Sequence, residues 1–352
     1  MNPINKTARI FYTIFLTLII CFGCSGKSEQ TIQAYNALGR GQHLDLTENG
    51  YIVGIEKYNR EHIGNPKPGC PKKFKKLPNP NNDKLISKQN KEFSKATRNP
   101  KSMVVTHITS YFPDRAYVYN AYEKSLERNK NYDTGYAQLT EMQNKLQQQI
   151  TRAKNQKKPY SHIFVMSMGW NNDQYVSIYR YNRIMDNLVK IAKKEDKFRP
   201  LVIGITWPSA WFTIEDSWLK KKIIGHLGSY AVKSNDADEI GYTIANWLIN
   251  YQLPSIREAV GPKNFPKVIA VGHSMGARLL SRAIFSRDHL KASFPGSVDS
   301  VDLFIGLQGA FSARRFVPAD SGEGAPYRDY TGLSTRIILT SSENDIANTF
   351  AF

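Results

Sequence analysis

Beyond residue 160 the chain alternates short apolar runs with amphipathic segments. The apolar runs are rich in valine and isoleucine, and they occupy residues 163–169, 201–207, 267–273, 301–307 and 335–341. The segments between them carry apolar side chains at intervals of three or four residues, as in Ile184, Leu188 and Ile191. This alternation predicts an α/β fold in which a mostly parallel central sheet is covered by helices on both faces.

Two helices are predicted with specific boundaries. Apolar residues recur at helical intervals from Tyr136 to Ile150, which indicates an amphipathic helix of about five turns. Asp236 and Glu239 resemble a capping pair, and they predict that another helix begins near residue 236.

The residues before this region predict smaller elements. Residues 43–58 are typical of a β-hairpin with an Asn-Gly turn. Residues 64–101 hold most of the early prolines, asparagines and lysines, which indicates a loop or linker, whereas residues 102–109 are β-branched and favour a strand. We therefore expect an N-terminal hairpin and basic linker over residues 37–101 and an α/β domain over residues 102–352.

The start of the chain is typical of an export signal. Lys6 and Arg9 precede an apolar run, residues 10–22, that is too short for a transmembrane helix but suits a secretory signal. Gly23 and Cys24 follow, and a small residue before a cysteine at this point resembles the cleavage box of bacterial lipoproteins.

That resemblance implies that residues 1–23 form a signal peptide, that Cys24 is acylated, and that residues 24–36 form a tether. The protein would then be exported and anchored by lipid to a bacterial membrane in the cell envelope. Cys21 is an alternative acceptor, and an ordinary signal peptide or an uncleaved anchor is an alternative interpretation. With Cys24 acylated, Cys70 is the remaining free thiol, which excludes a disulfide framework and a cysteine-rich metal site.

The chain is strongly basic. Its formal charge is +18, and removal of Lys6 and Arg9 with the signal leaves 18 − 2 = +16. Residues 71–101 contain ten lysines and arginines against two acidic residues. This density favours contact with an anionic membrane surface, although a solvated loop has the same composition. No nucleic-acid-binding motif accompanies it, so we expect no specific nucleic-acid partner.

The strongest chemical signal is Gly272-His273-Ser274-Met275-Gly276. It has the form G-x-S-x-G, follows a buried type of strand and precedes a helix. In that context a sharp turn strains the serine backbone, and the glycines let neighbouring backbone pass close to it. We expect Ser274 to be a nucleophile at the carboxyl edge of the sheet and the Met275 amide to be an oxyanion donor. A surface turn with an incidental serine is the alternative.

This motif and the order of elements over residues 160–350 resemble the α/β-hydrolase superfamily of serine esterases and lipases. We call the sharp turn over residues 272–276 the elbow. The resemblance implies a second oxyanion donor in the loop that follows an earlier strand, the second before the one that ends at the elbow. That loop looks like a His-Gly-Trp-Asn loop in which Met168 replaces the histidine. Because the donors are backbone amides, we expect Gly169 or Trp170 to serve; alternatively, Trp170 only packs against the sheet edge.

The resemblance also implies a triad acid and a histidine base. Asp345 matches the position of the acid, and Glu343 is a less favoured substitute. The superfamily's histidine follows one further strand, but the sequence stops seven residues after Asp345, so this last strand is missing. We interpret this as truncation; an inactive relative or a base recruited from elsewhere is the alternative. None of the seven histidines is assigned as the base, and His273 is expected to point away from the Ser274 hydroxyl.

Residues 210–235 are rich in aromatic and apolar side chains, with Lys220, Lys221 and Lys222 among them. In α/β hydrolases such an insertion covers the active site as a cap. Apolar side chains mixed with lysines favour binding of an acyl chain or contact with an anionic lipid surface. The alternative is that this segment is a packed connecting helix.

These features predict a membrane-anchored serine hydrolase that cleaves a carboxylic ester or acyl-lipid through an acyl-Ser274 intermediate, without a cofactor. An acyltransferase would use the same intermediate. A non-catalytic envelope binding protein with this fold and a polyanion-binding protein are the alternatives from other classes. No two histidines have metal-ligand spacing on one helix or loop, so no metal site is expected.

Overall fold

The computed structural model describes ten stretches of the chain: residues 44–57, 73–97, 103–114, 118–120, 132–170, 172–192, 197–209, 225–291, 300–316 and 334–341. Among these residues, no helix combines the length and apolar character needed to cross a membrane. The signal segment with Cys24, and the acidic residues Glu343 and Asp345, lie outside the described residues.

An eight-stranded sheet forms the centre of the described structure. Its strands in chain order are β1 (Gly50–Lys57), β2 (Met103–Ser110), β3 (Val118–Asn120), β4 (His162–Ser167), β5 (Pro200–Thr206), β6 (Lys267–His273), β7 (Leu303–Leu307) and β8 (Arg336–Thr340). They are arranged in the order β3-β2-β1-β5-β4-β6-β7-β8. The six strands from β1 to β8 in that order are parallel, and β2 runs antiparallel to both β1 and β3.

The helices are α1 (Lys84–Thr97), α2 (Tyr132–Asn155), α3 (Gln174–Ala192), α4 (Gly225–Ile240), α5 (Leu253–Val260) and α6 (Met275–Ile284). Two π-helical segments, Gly241–Ala245 and Leu248–Gln252, lie between α4 and α5. The predicted helix from Tyr136 to Ile150 is confirmed as the central part of α2.

The sheet separates two apolar clusters because alternate side chains of each strand point to opposite faces. Ile52 and Phe164 face α3, where they pack with Tyr181. Val53 and Val165 face the other cluster, to which α1, α2, α4, α5 and α6 contribute. The predicted α/β architecture, a mostly parallel sheet with helices on both faces, is therefore confirmed.

The predicted hairpin over residues 43–58 is wrong. Residues 50–57 do form β1, but its antiparallel partner is β2, and its other neighbour is the parallel strand β5. Residues 44–49 are not a strand; instead Thr47 donates its backbone N–H to Asn182 Oδ1 on α3, at 3.1 Å. The Asn-Gly pair favours a local turn, but burying all of β1 inside the sheet outweighs that preference.

Two further predictions are corrected. The linker expected over residues 64–101 contains α1, whose first turn is capped where Asp83 Oδ1 accepts the Leu85 N–H at 2.8 Å. The helix expected to begin at Asp236 begins earlier, at Gly225, inside the predicted cap segment. Asp236 lies within that helix beside Lys233, at 3.5 Å, so this residue pairs with a buried lysine rather than capping a helix.

Candidate active site

Ser274 lies in the predicted strand-to-helix turn. β6 ends at His273 and α6 begins at Met275. The serine backbone has φ +52° and ψ −120°, a conformation that a residue with a side chain rarely adopts and that stores strain. Ser274 is partly exposed, whereas Met275 after it is fully buried. The turn thus places a partly exposed, hydroxyl-bearing residue directly before a buried helix start.

The glycines of the motif allow the close packing that such a turn requires. A Cβ on Gly272 would overlap the backbone of Ala277 in α6, and a Cβ on Gly276 would overlap the Ser167 carbonyl at the end of β4. Any larger residue would force α6 away from the sheet. The two glycines therefore fix the distance between α6, β4 and β6.

Backbone hydrogen bonds also join Ser274 to the end of β7 and the loop that follows it. Its N–H donates to the Leu307 carbonyl at 2.9 Å, and its carbonyl accepts the Ala310 N–H at 3.1 Å. The loop after β7 therefore packs directly against the elbow. Gln308 in this loop has φ +48°, and its Oε1 lies 3.2 Å from His273 Nε2. The sequence predicts no role for this loop, in which the local signal is the Gln-Gly pair after the strand.

Gly169 lies directly against the elbow. A Cβ on Gly169 would be 2.6 Å from Ser274 Cβ, 2.7 Å from the His273 carbonyl oxygen and 3.1 Å from the Met275 backbone nitrogen. The two segments predicted to supply oxyanion donors are thus in contact. Met275 is the first residue of α6, so its N–H has no acceptor within the helix and lies at the positive end of the helix dipole. The arrangement can stabilise negative charge on an oxygen bound at Ser274.

Trp170 is the second residue of this loop that was predicted as a possible oxyanion donor. Its side chain is partly buried and packs against the larger apolar cluster, as the packing alternative expected. Its backbone amide belongs to the loop that contacts the elbow through Gly169. Packing of the indole therefore leaves the amide as a candidate donor.

A buried charge cluster supports α6 one turn after Ser274. Asp238 on α4 accepts two hydrogen bonds from Arg278, at 2.9 and 2.7 Å, and one from Arg282, at 3.0 Å. Arg278 also donates to the Ala310 carbonyl at 3.1 Å, while Ala310 donates to the Ser274 carbonyl. Burial alone would raise the pKa of Asp238, but the Arg282 and Arg278 guanidiniums outweigh it and hold that pKa well below its usual range. The sequence does not reveal this cluster, because its partners are 40 and 44 residues apart.

The histidine side chains that the structure describes all bond to groups other than Ser274. The contacts are His107 Nε2 to Gln174 Oε1 (2.7 Å), His162 Nδ1 to Ser161 Oγ (2.9 Å), His273 Nε2 to Gln308 Oε1 (3.2 Å) and His289 Nδ1 to the Lys75 carbonyl (3.0 Å). Burial lowers the pKa of His107 and of His289 to about 4, so both are neutral at pH 7. His43, His62 and the side chain of His226 lie outside the described residues.

The predicted acid, Asp345, also lies outside the described residues, but the strand that leads towards it is described. In the register of the sheet, Thr340 at the end of β8 is paired with Leu307 on β7, and Leu307 is paired with His273 on β6. Neighbouring strands lie about 4.8 Å apart, so β8 ends about 10 Å from the elbow at the same edge of the sheet. Within the described part of the chain, no group of three or more histidine, cysteine, aspartate or glutamate side chains could hold a metal ion.

No family model matches the chain, and no curated protein shows significant sequence similarity to it. Solved structures with some similarity include an acetyl xylan esterase, 12% identical with a TM-score of 0.26, which covers 54% of this chain and 90% of its own. Another is a cutinase from Trichoderma reesei in complex with a C11Y4 phosphonate inhibitor, 13% identical with a TM-score of 0.28, covering 61% of this chain and 88% of its own. Similarities of this size assign neither an activity nor a substrate to this chain.

Proposed function

We propose that this chain is a serine hydrolase that cleaves a carboxylic ester or an acyl-lipid through an acyl-Ser274 intermediate. The observation that supports this most strongly is the strained backbone of Ser274, at φ +52°, in contact with Gly169 and immediately before a helix N-terminus. Strain of this kind costs about 1–3 kcal/mol and persists at functional sites because the surrounding structure enforces it. A turn without a chemical role has no reason to retain it.

The reaction follows from the positions of these groups. Ser274 Oγ attacks the ester carbonyl carbon and loses its proton to a base, while the carbonyl oxygen becomes an oxyanion. The amides of Met275 and of Gly169 or Trp170 are the donors that stabilise that oxyanion, each worth roughly 10²- to 10³-fold in rate. The alcohol leaves with a proton from the same base, and water then releases the acid from Ser274. Asp345 is proposed to orient the base.

The substrate class and the location are proposed on sequence grounds. The aromatic and apolar residues of 210–235, with lysines among them, suit an acyl chain near an anionic lipid surface. Acylation at Cys24 would hold the enzyme at a bacterial membrane, and the basic stretch over residues 71–101 would add about 1 kcal/mol for each basic residue near that surface. The proposed partners are therefore an ester or acyl-lipid substrate and an anionic membrane.

A fluorophosphonate probe tests the proposal on the full chain. Because such probes react with an activated serine hydroxyl, we expect stoichiometric labelling of the wild type and none of Ser274→Ala. Ser255→Ala is the matched control, since Ser255 is partly buried on α5, where its hydroxyl donates to the Tyr251 carbonyl at 2.6 Å. A folded wild-type protein that does not label would favour the non-catalytic binding protein instead.

A further inference from the structure

Met168, Gly169 and Trp170 belong to the loop that contacts the elbow through Gly169, and an oxyanion at Ser274 would be repelled by any of their carbonyl oxygens that faced it. Met168 accepts a hydrogen bond from Trp207 Nε1 at 2.8 Å. The Gly169 and Trp170 carbonyls both accept from Asn172 Nδ2, at 2.8 and 2.9 Å. All three carbonyls are therefore held by donors of the protein.

Holding a carbonyl also fixes the direction of an amide. Each trans peptide unit carries a C=O and the N–H of the next residue on opposite sides, and no cis peptide occurs in the described residues. When Asn172 holds the Gly169 carbonyl, the Trp170 N–H of the same unit must point away from Asn172. When Trp207 holds the Met168 carbonyl, the Gly169 N–H must point away from Trp207. The two proposed donor amides are thus oriented by two side chains.

Asn172 is itself fixed in place. Its backbone N–H donates to Ser209 Oγ at 3.0 Å, and Ser209 Oγ donates to the Asn172 carbonyl, which ties the loop to the end of β5. Asn172 is only 5% exposed. Its Oδ1, although buried, has no hydrogen-bond partner in the part of the chain that the structure describes, so the carboxamide is used through its donor end alone.

Asn182 is another buried asparagine of this protein, and its hydrogen bonds differ from those of Asn172. It is 8% exposed, donates from Nδ2 to the Asp45 carbonyl at 2.8 Å and accepts the Thr47 N–H at Oδ1. Both ends of its carboxamide are used, and it joins residues 45–47 to α3. Asn172 instead donates two hydrogen bonds from Nδ2 to adjacent carbonyls of a single loop.

From these contacts we propose that Asn172 is a positioning residue that keeps the 169–170 peptide oriented with its N–H, rather than its C=O, towards Ser274. The proposal rests on the proposed serine hydrolase activity and assigns the orientation of its second oxyanion donor. Without the Asn172 carboxamide, the peptide is free to rotate and present a carbonyl to the oxyanion.

The test uses the full chain with a short-chain p-nitrophenyl ester as substrate and fluorophosphonate labelling to count competent sites. Removing one oxyanion donor typically costs 10²- to 10³-fold in kcat, and a donor that is only misaligned should cost about 10- to 100-fold. We expect Asn172→Ala to lower kcat by that amount per labelled site, with KM changed less than about twofold, because ground-state binding does not use the donor. Asn172→Asp should lose at least as much, because a carboxylate cannot donate and repels both carbonyls.

Asn182→Ala is the control, because it removes buried carboxamide bonds of similar number without touching the elbow. It should lower the melting temperature but leave kcat per labelled site unchanged. If Asn172→Ala does not fold, Asn172→Ser is the second variant; its hydroxyl is one bond too short to reach the two carbonyls, so the same loss of kcat is expected. Wild-type kcat in a folded Asn172 variant would overturn the positioning role alone, whereas a wild type that neither labels nor turns over would overturn the proposed function with it.

Discussion

At the scale of single residues, the site was predictable where it depends on local backbone geometry. The G-x-S-x-G pattern predicted a strained serine after β6, and the structure has Ser274 at φ +52°. Gly169 was predicted as a neighbour only through the family resemblance, because it lies about a hundred residues earlier in the chain. The supporting residues Asn172, Ser209 and Arg278 were not predicted, since each acts through a partner that no short motif encodes.

Gly169 gives the sharpest prediction at this scale. A Cβ at this position would lie 2.6 Å from Ser274 Cβ and 2.7 Å from the His273 carbonyl oxygen, inside normal contact distances. We expect Gly169→Ala to push the loop away from the elbow and to reduce kcat by at least about 10²-fold, as loss of one oxyanion donor does. Steady-state kinetics with a p-nitrophenyl ester measures this, and a variant with more than a tenth of wild-type kcat would contradict the proposed placement of the loop.

At the scale of elements, strand positions were predictable and pairing was not. Strands such as β4 and β6 are buried on both faces, so continuous apolar runs mark them directly. The partner of β1 is a matter of long-range contacts, and the local Asn-Gly signal favoured a hairpin that the sheet does not contain. The start of α4 was also missed, because neither acidic residue caps a helix. Asp236 pairs with Lys233 of the same helix, and Glu239 Oε1 accepts the N–H of Met103 at 3.2 Å.

The contact between α4 and α6 depends on Asp238. This carboxylate is the shared partner of Arg278 and Arg282, whose side chains are 8% and 3% exposed. Removing it takes the Asp238 carboxylate away from the buried Arg278 guanidinium, while Arg282 keeps its ion pair with Glu92 at 2.7 Å. Breaking a buried ion pair from one side typically costs about 3–5 kcal/mol. We expect Asp238→Ala to lower the free energy of unfolding by about that amount in urea denaturation.

Glu141→Ala is the control for this measurement. Glu141 pairs with Lys145 at 3.9 Å on the solvent side of α2, and its side chain is 46% exposed. Exposed pairs of this kind contribute about 0.3–0.5 kcal/mol, so its loss should change the unfolding free energy by no more than that. Equal effects of the two substitutions would show that the buried cluster does not stabilise the packing of α6.

At the scale of the whole molecule, the sequence predicts a basic, exported protein attached to a membrane. Cleavage before Cys24 would leave a charge of +16, and the proposed acylation of Cys24 would supply the anchor. One acyl chain gives marginal, reversible binding, so a second signal such as further acylation or a basic stretch is needed for stable attachment. The basic residues of 71–101 offer such a signal, and their attraction to anionic lipid weakens as salt rises.

Anchoring through Cys24 has a direct test in a bacterial host. We expect the wild-type chain to incorporate labelled palmitate and to fractionate with membranes, and Cys24→Ala to do neither. Cys21→Ala separates the two candidate acceptors, because it should leave both readouts unchanged. Palmitate incorporation into Cys24→Ala that is lost in Cys21→Ala would move the anchor to the earlier cysteine.

The central claim is that the Ser274 hydroxyl is a nucleophile that faces an oxyanion site formed by α6 and the Gly169 loop. The most direct measurement is a crystal structure of the full chain after reaction with an alkyl phosphonate. We predict phosphorus bound covalently to Ser274 Oγ, with its phosphoryl oxygen about 2.7–3.1 Å from the Met275 amide nitrogen and from that of Gly169 or Trp170. An adduct on another residue, or a phosphoryl oxygen directed away from these amides, would contradict the claim.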